Sequence, residues 1–303
     1  MTDRKRTSRA DMVVAKAGMM AVDRPKFDLL QAVGKAGVDP RARFFGRRLG
    51  KKLSERQAGL WESLLPRHGL TPAALTDEHF WRSYNHWWLE IGFGGGENIY
   101  RWACDNPTTG FIGAEPFRPA VAKLLVKLEE GGDELTNLRL YADDVWHIFA
   151  NLPPRVLDKI VILYPDPWPK QRHAARRMVS SLTLPIFRRV LKIGGQVVFA
   201  TDQPILLQST MRLFQADQYF RWLNGQVDAA GPQWLVRPSF MLPSRYEMKS
   251  QRLGGVNVDG ARDNTIVVDQ DKSAGDRPLN IRRKFGAVPV YLIYEKIAED
   301  EVG

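Results

Sequence analysis

Five short apolar runs recur through the middle of this chain, most of them followed by a segment of helical spacing. They cover 87–93, 110–115, 138–141, 158–163 and 195–200, and a sixth at 290–294 closes the series. Helices are expected over 98–104, 119–130, 177–191 (kinked by Pro185) and 204–216. In 119–130 the apolar residues Val121, Leu124, Leu125 and Leu128 fall on one helical face. Strand–helix units in succession predict an α/β protein with a mostly parallel, doubly wound sheet covered on both faces. Ligands of such sheets bind beyond the carboxyl ends of the strands, where strand order reverses. Upstream, Ser54 caps a helix over 54–65 that is expected to stop before Pro66.

The flanks differ from this core. Residues 1–40 have no steady periodicity and read as a mobile basic tail, followed by a single domain over 41–303. The stretch 252–284, rich in Gly, Asp and Arg, reads as a surface-loop insertion. Of 44 Lys/Arg and 34 Asp/Glu, residues 1–56 hold 15 and 6, so the remainder holds 29 and 28. The net charge of +10 is therefore an N-terminal property. Cations interleave with Phe44 and Phe45 in the run 41–52, a pattern suited to phosphate contact and stacking; 41–56 is read as an RNA-contacting arm. A single cysteine, Cys104, excludes a disulfide framework or a cysteine metal site and fits a cytoplasmic location. No apolar run is long enough to span a bilayer, and 12–22, broken by Lys16, is not a signal peptide.

Chemistry concentrates at the strand ends. The first strand runs into Gly92-Phe93-Gly94-Gly95-Gly96, where Gly92 and Gly94 allow a tight turn and close backbone approach to a ligand. This G-x-G-x-G spacing is not that of a pyrophosphate cradle. Acids stand at the ends of four successive strands: Glu90, Glu115, Asp144 (beside Asp143) and Asp166. Each could instead serve as a helix N-cap. Together they would repel a dinucleotide and suit a cationic, donor-rich ligand. S-adenosylmethionine has that chemistry: positive sulfonium and ammonium, a ribose diol and an adenine amine. No metal is expected.

The fourth strand ends in Tyr164-Pro-Asp-Pro-Trp-Pro-Lys170, followed by Arg172, His173, Arg176 and Arg177. Each proline fixes its own φ and biases its predecessor toward extended backbone. Asp166, Trp168 and Lys170 thus sit on a stiff strip that suits a flat polar ring, with a basic segment behind it for phosphates.

With its flanking pieces, this strip resembles the bacterial tRNA (guanine-N7-)-methyltransferase family. The supporting pieces are Leu-Glu-Ile-Gly-Phe-Gly at 89–94, Gly-Ala-Glu-Pro at 113–116, Ala-Thr-Asp at 200–202 and Ser244-Arg245-Tyr246-Glu247. The resemblance implies a Rossmann-like class I S-adenosylmethionine-dependent methyltransferase fold with an antiparallel last strand. It also implies methyl transfer to N7 of a variable-loop guanine in tRNA. It casts Glu90, Glu115, Asp144 and Asp166 as cofactor-binding acids, with Asp166 also the active-site residue. Lys170, Asp202 and Ser244–Glu247 become substrate contacts. Ser244 replaces the family's usual threonine and keeps its hydroxyl; Gln171 and Ala175 stand where relatives often carry lysine. Asp166, Asp202 and Glu247 are candidates to read the donor edge of guanine, Asp166 and Glu247 foremost. The competing readings are a same-fold methyltransferase for another RNA or a small molecule, and a non-catalytic RNA-binding relative.

Overall fold

The computed structural model describes residues 46, 48–132, 134–229, 231–243 and 288–297. It also describes the backbone of two short antiparallel pairs, Val33–Gly34 with Gly37–Val38 and Val267–Asp269 with Asn280–Arg282. Beyond these pairs, the 1–40 tail and the 252–284 insertion lie outside the described residues, as do Ser244, Arg245, Tyr246 and Glu247.

Seven strands form one sheet: β1 His86–Ile91, β2 Thr109–Ala114, β3 Leu138–Tyr141, β4 Leu157–Leu163, β5 Leu191–Thr201, β6 Phe220–Trp222 and β7 Val290–Lys296. Their order is β3-β2-β1-β4-β5-β7-β6. Strands β1 to β5 pair in parallel, and β7 runs antiparallel to both β5 and β6. The expected doubly wound sheet with an antiparallel last strand is the one observed. Order reverses between β1 and β4, which pair Glu90 with Val161 and Ile91 with Ile162.

The helices are α1 Glu55–Ser63, α2 Leu65–His68, α3 Glu78–Arg82, α4 Glu97–Asp105, α5 Arg118–Glu130, α6 Trp146–Phe149, α7 Leu184–Val190 and α8 Pro204–Gln215. Alternate residues of one strand serve opposite faces. Ile160, Ile162 and Phe199 join α6, α7 and α8 in one core, whereas Val161, Val198 and Ala200 join α1, α4 and α5 in the other. Burial on both faces explains why these strands read as continuous apolar runs. Among the described residues no helix is long and apolar enough to cross a membrane.

Three expectations change. Pro66 does not end the helical region: α1 stops at Ser63 and Pro66 sits in the first turn of α2, where its missing N–H costs nothing. The helix expected over 177–191 is only α7, with Pro185 again in a first turn rather than at a kink. Before it, Ser180 and Thr183 bond to each other's backbone and side chains and compete with the helix. Strand β5 begins at Leu191, four residues before Gly195, because Gly194 at φ 78° takes up a register irregularity opposite Leu157–Lys159.

At the end of the sheet away from the strand carboxyl termini, Asp158 ties three neighbouring strands. Its carboxylate accepts from His86 Nδ1 at 3.0 Å, from the Trp87 N–H at 2.9 Å and from Lys192 Nζ at 2.8 Å. Burial alone would raise its pKa, but the Lys192, His86 and Trp87 hydrogen bonds win and lower it below 3.8. A depressed carboxylate contributes stability above its unfolded pKa and loses it as pH falls through the folded value. Asp158→Ala is therefore expected to cost about 2 kcal/mol at pH 7. In thermal unfolding, the gap to the wild type should stay constant above pH 5 and close only in strongly acid solution.

Candidate active site

The carboxyl ends of β1 to β4 open onto a cleft of about 730 Å³ at the point of order reversal. Its floor is the glycine turn after β1. Gly92, Gly94 and Gly96 have φ of 75°, 56° and 72°, left-handed values that side chains resist. A Cβ on Gly92 or Gly94 would meet nothing within 4 Å, so both backbones face open space; at Gly96 it would strike Leu124 at 2.7 Å. Gly96 then caps α4.

Three walls share one local pattern, an acid followed two residues later by an aromatic ring. These are Glu115-Pro-Phe117 after β2, Asp144-Val-Trp146 after β3 and Asp166-Pro-Trp168 after β4, and all six named residues line the cleft. In the first two the aromatic residue's own backbone fixes the acid. The Phe117 N–H donates to Glu115 Oε1 at 2.9 Å, and the Trp146 N–H to Asp144 Oδ1 at 3.1 Å. Asp144 is thus both a turn cap and a cleft residue. Glu115 Oε2 also accepts from the Gly94 N–H at 2.9 Å, which joins the β2 loop to the glycine turn. Burial raises the Glu115 pKa; the Phe117 and Gly94 bonds oppose this, and the charge of Asp166 adds to it.

Glu90 lies buried, 3% exposed. Its Oε2 has no hydrogen-bond partner. Burial, reinforced by the charges of Glu115 and Glu97, pushes its pKa up to about 8 against one opposing bond from the Ile99 N–H. A buried carboxylate oxygen without a donor is costly. Together with the open glycine backbone, it fits a cationic, donor-bearing ligand such as S-adenosylmethionine.

The strip after β4 is held in a strained form. Tyr164 and Trp168 have φ of 50° and 40°. The Tyr164 N–H bonds to the Ala200 carbonyl at 2.8 Å, and its hydroxyl meets that of Tyr291 at 3.3 Å. Arg177 is buried and donates from Nη2 to the Trp168 carbonyl at 3.2 Å. It fastens the strip from a buried position and is not a solvated cation. Arg176 lies 5.0 Å over the Trp168 ring, whose edge meets His173 at 5.8 Å. Burial, then the charges of Arg176, Arg172 and Lys170, hold the His173 pKa down, and Arg172 Nε donates to its Nε2 at 3.4 Å.

Of the expected site residues, the cleft brings together Gly92, Glu115, Asp144 and Asp166; Gly94 is bonded to Glu115, and Glu90 is buried and does not line it. Lys170 is exposed beside it, and Asp202, bonded by Gln203 Nε2 at 2.9 Å, does not line it. Sequence reasoning missed Phe117 and Trp146, although the acid-x-aromatic spacing they share with Asp166 and Trp168 was readable. It also missed Gly46 at the cleft edge and Arg48, which pairs with Asp143 at 3.1 Å and Asp144 at 3.7 Å.

A family model described as "Putative methyltransferase" matches residues 85–259, more than half of the chain. A tRNA (guanine-N(7)-)-methyltransferase of Rhizobium meliloti (strain 1021) is 42% identical over 70% of this chain and 90% of its own length. The chain belongs to the tRNA (guanine-N7-)-methyltransferase family. The enzyme of the same name from Rhodospirillum rubrum is 38% identical over 70% of this chain and 84% of its own length; that from Agrobacterium fabrum, 40% over 70% and 90%. Membership makes S-adenosylmethionine the methyl donor, in agreement with the charge of the cleft.

Glu90 yields a test that needs no substrate. An acid with a raised folded pKa binds more protons folded than unfolded, so stability falls as pH rises between the two values. Glu90→Gln is expected to raise Tm, with a gain that grows from pH 4.5 to about 8 and then levels. A gain independent of pH would show that Glu90 is ionised without its ligand.

Proposed function

We propose that this chain transfers a methyl group from S-adenosylmethionine to N7 of a variable-loop guanine in tRNA, forming 7-methylguanosine, in the cytoplasm. The observation that carries the reading is that Asp166 and Trp168 share one cleft with Glu115 and Asp144. The strip that suits a purine thereby adjoins the acids that suit the methyl donor.

When bound, S-adenosylmethionine supplies an electrophilic methyl on a cationic sulfur. Gly92 and Gly94, without side chains, let the backbone close on it. Glu115 keeps a lone pair on each oxygen beside the Phe117 and Gly94 bonds, enough for a ribose diol. Asp144 or its neighbour Asp143 would accept from the adenine amine, and Glu90 from a cationic amine. A cation at Glu90 would draw off its proton, so affinity should rise with pH toward about 8. Glu90→Gln should abolish that pH dependence in calorimetry.

Guanine N7 carries an in-plane lone pair and no proton, so no residue must act as a base. Asp166 acts by positioning, where effective molarities are large, and by facing the positive charge that develops on the purine. Guanine presents N1–H and N2–H₂ as a double donor, which Asp166 or Glu247 would accept. Trp168 stacks on the extruded base, and Lys170, Arg172 and Arg176 hold phosphates. Asp202 and Ser244–Glu247 complete the substrate contacts. The cations of 41–56 grip the tRNA, with Arg48 anchoring that arm at the cleft edge.

Radiolabelled methyl transfer to unmodified tRNA, with borohydride–aniline mapping of the product, tests this. Cleavage at one variable-loop guanine is expected. Asp166→Ala should lower kcat about a hundredfold. Trp168→Ala should raise the tRNA KM by the equivalent of about 1–3 kcal/mol. Cofactor binding without transfer to any tRNA would overturn the substrate assignment.

A further inference from the structure

Gly46 lines the cleft, and two residues on, Arg48 spans the exits of two strands. Its carbonyl accepts from the Arg118 N–H at 3.0 Å, where α5 begins after the β2 loop. Its guanidinium reaches the exit of β3: Nη1 lies 3.1 Å from Asp143 Oδ1, and Nη2 lies 3.7 Å from Asp144 Oδ2. Gly50 keeps this backbone close to the β2 loop, since a Cβ there would strike Pro119 at 2.8 Å and Phe117 at 2.9 Å. Further along, Arg56 pairs with Glu129 and Glu130 of α5, and Arg118 lies 4.4 Å over the Trp61 ring.

An ion pair open to water adds little to stability, and the Arg48 and Asp143 side chains are each nearly half exposed. Asp144 differs. It is buried, and a buried carboxylate is costly without donors and a counter-charge. Three contacts locate it. The Trp146 N–H donates to its Oδ1 at 3.1 Å, its own N–H donates to Asp143 Oδ1 at 2.8 Å, and Arg48 faces its Oδ2. Arg48 therefore acts on Asp144 twice, directly and through Asp143, with the two ends of one planar fork.

The guanidinium is thereby committed to an acid of the cleft wall, while its backbone is fastened to the neighbouring strand exit. We propose that Arg48 is a positioning residue for the methyl donor. By tying the β3 exit to the start of α5, it holds the Asp143–Asp144 pair where the adenine amine is received. This rests on the reading above that one of these acids accepts from that amine.

The test is calorimetric and needs no tRNA. S-adenosylhomocysteine and S-inosylhomocysteine differ only at the purine, where a carbonyl oxygen replaces the exocyclic amine. A fixed carboxylate accepts from the amine and repels the carbonyl, so the wild type should favour the adenine compound. Arg48→Gln keeps a polar side chain and removes the bridge. It should weaken binding of the adenine compound about five- to tenfold, the worth of one hydrogen bond, and leave the inosine compound within about twofold. S-adenosylmethionine should weaken by the same factor as S-adenosylhomocysteine, and Tm should hold. Unchanged discrimination between the two purines, whether both compounds weaken alike or neither does, overturns the proposal alone. Tighter binding of S-adenosylmethionine without a change for its uncharged product would mean that Arg48 acts only through its charge, which also overturns it. A wild type that binds both purines equally overturns the assignment of the acids, and the proposal with it.

Discussion

Parallel strands cannot be joined by a tight turn; each must cross over to begin again at the same end of the sheet. The crossovers here place every strand's exit loop on one side. Where the chain stops adding strands beside β2 and starts adding them beside β4, adjacent exits diverge. The cleft is a consequence of that divergence. The central strands beneath are largely buried, and at their far end Asp158 keeps three strand starts in register. The exits can therefore carry glycine, proline and acid without unsettling the core.

Glu115 turns neighbouring loops into one surface. It bonds both its own loop and the glycine turn, so the backbone conformation of one strand exit is held by a side chain from the next. The charge of Asp166 adds to the upward push that burial gives the Glu115 carboxyl. The carboxylates of Asp144 and Asp166 that line the same cleft add negative potential that favours a cation.

The strands were legible because burial on both faces leaves unbroken apolar runs, and the acids because each stands where such a run ends. What escaped the sequence was decided by competition between local signals. Pro66 and Pro185 mark a boundary in either direction, since proline ends one helix and opens another equally well. Arg177 resembled its solvated neighbours; only the folded strip shows that its guanidinium is needed by the Trp168 carbonyl. Arg48 lies in a run that reads as generically cationic, and nothing local announces that Asp143 and Asp144, nearly a hundred residues on, receive it.

Tyr164 and Trp168 occupy left-handed backbone positions that cost a bulky residue on the order of 1–2 kcal/mol each. Glycine at either place would relax the strip and remove a ring from the cleft wall. Selection for heat resistance alone would thus find ready gains in a segment that forms the cleft wall. Backbone relaxation and the cleft wall make opposite demands at these two residues, so a heat-adapted variant that still methylates should keep both rings and find its stability elsewhere in the fold.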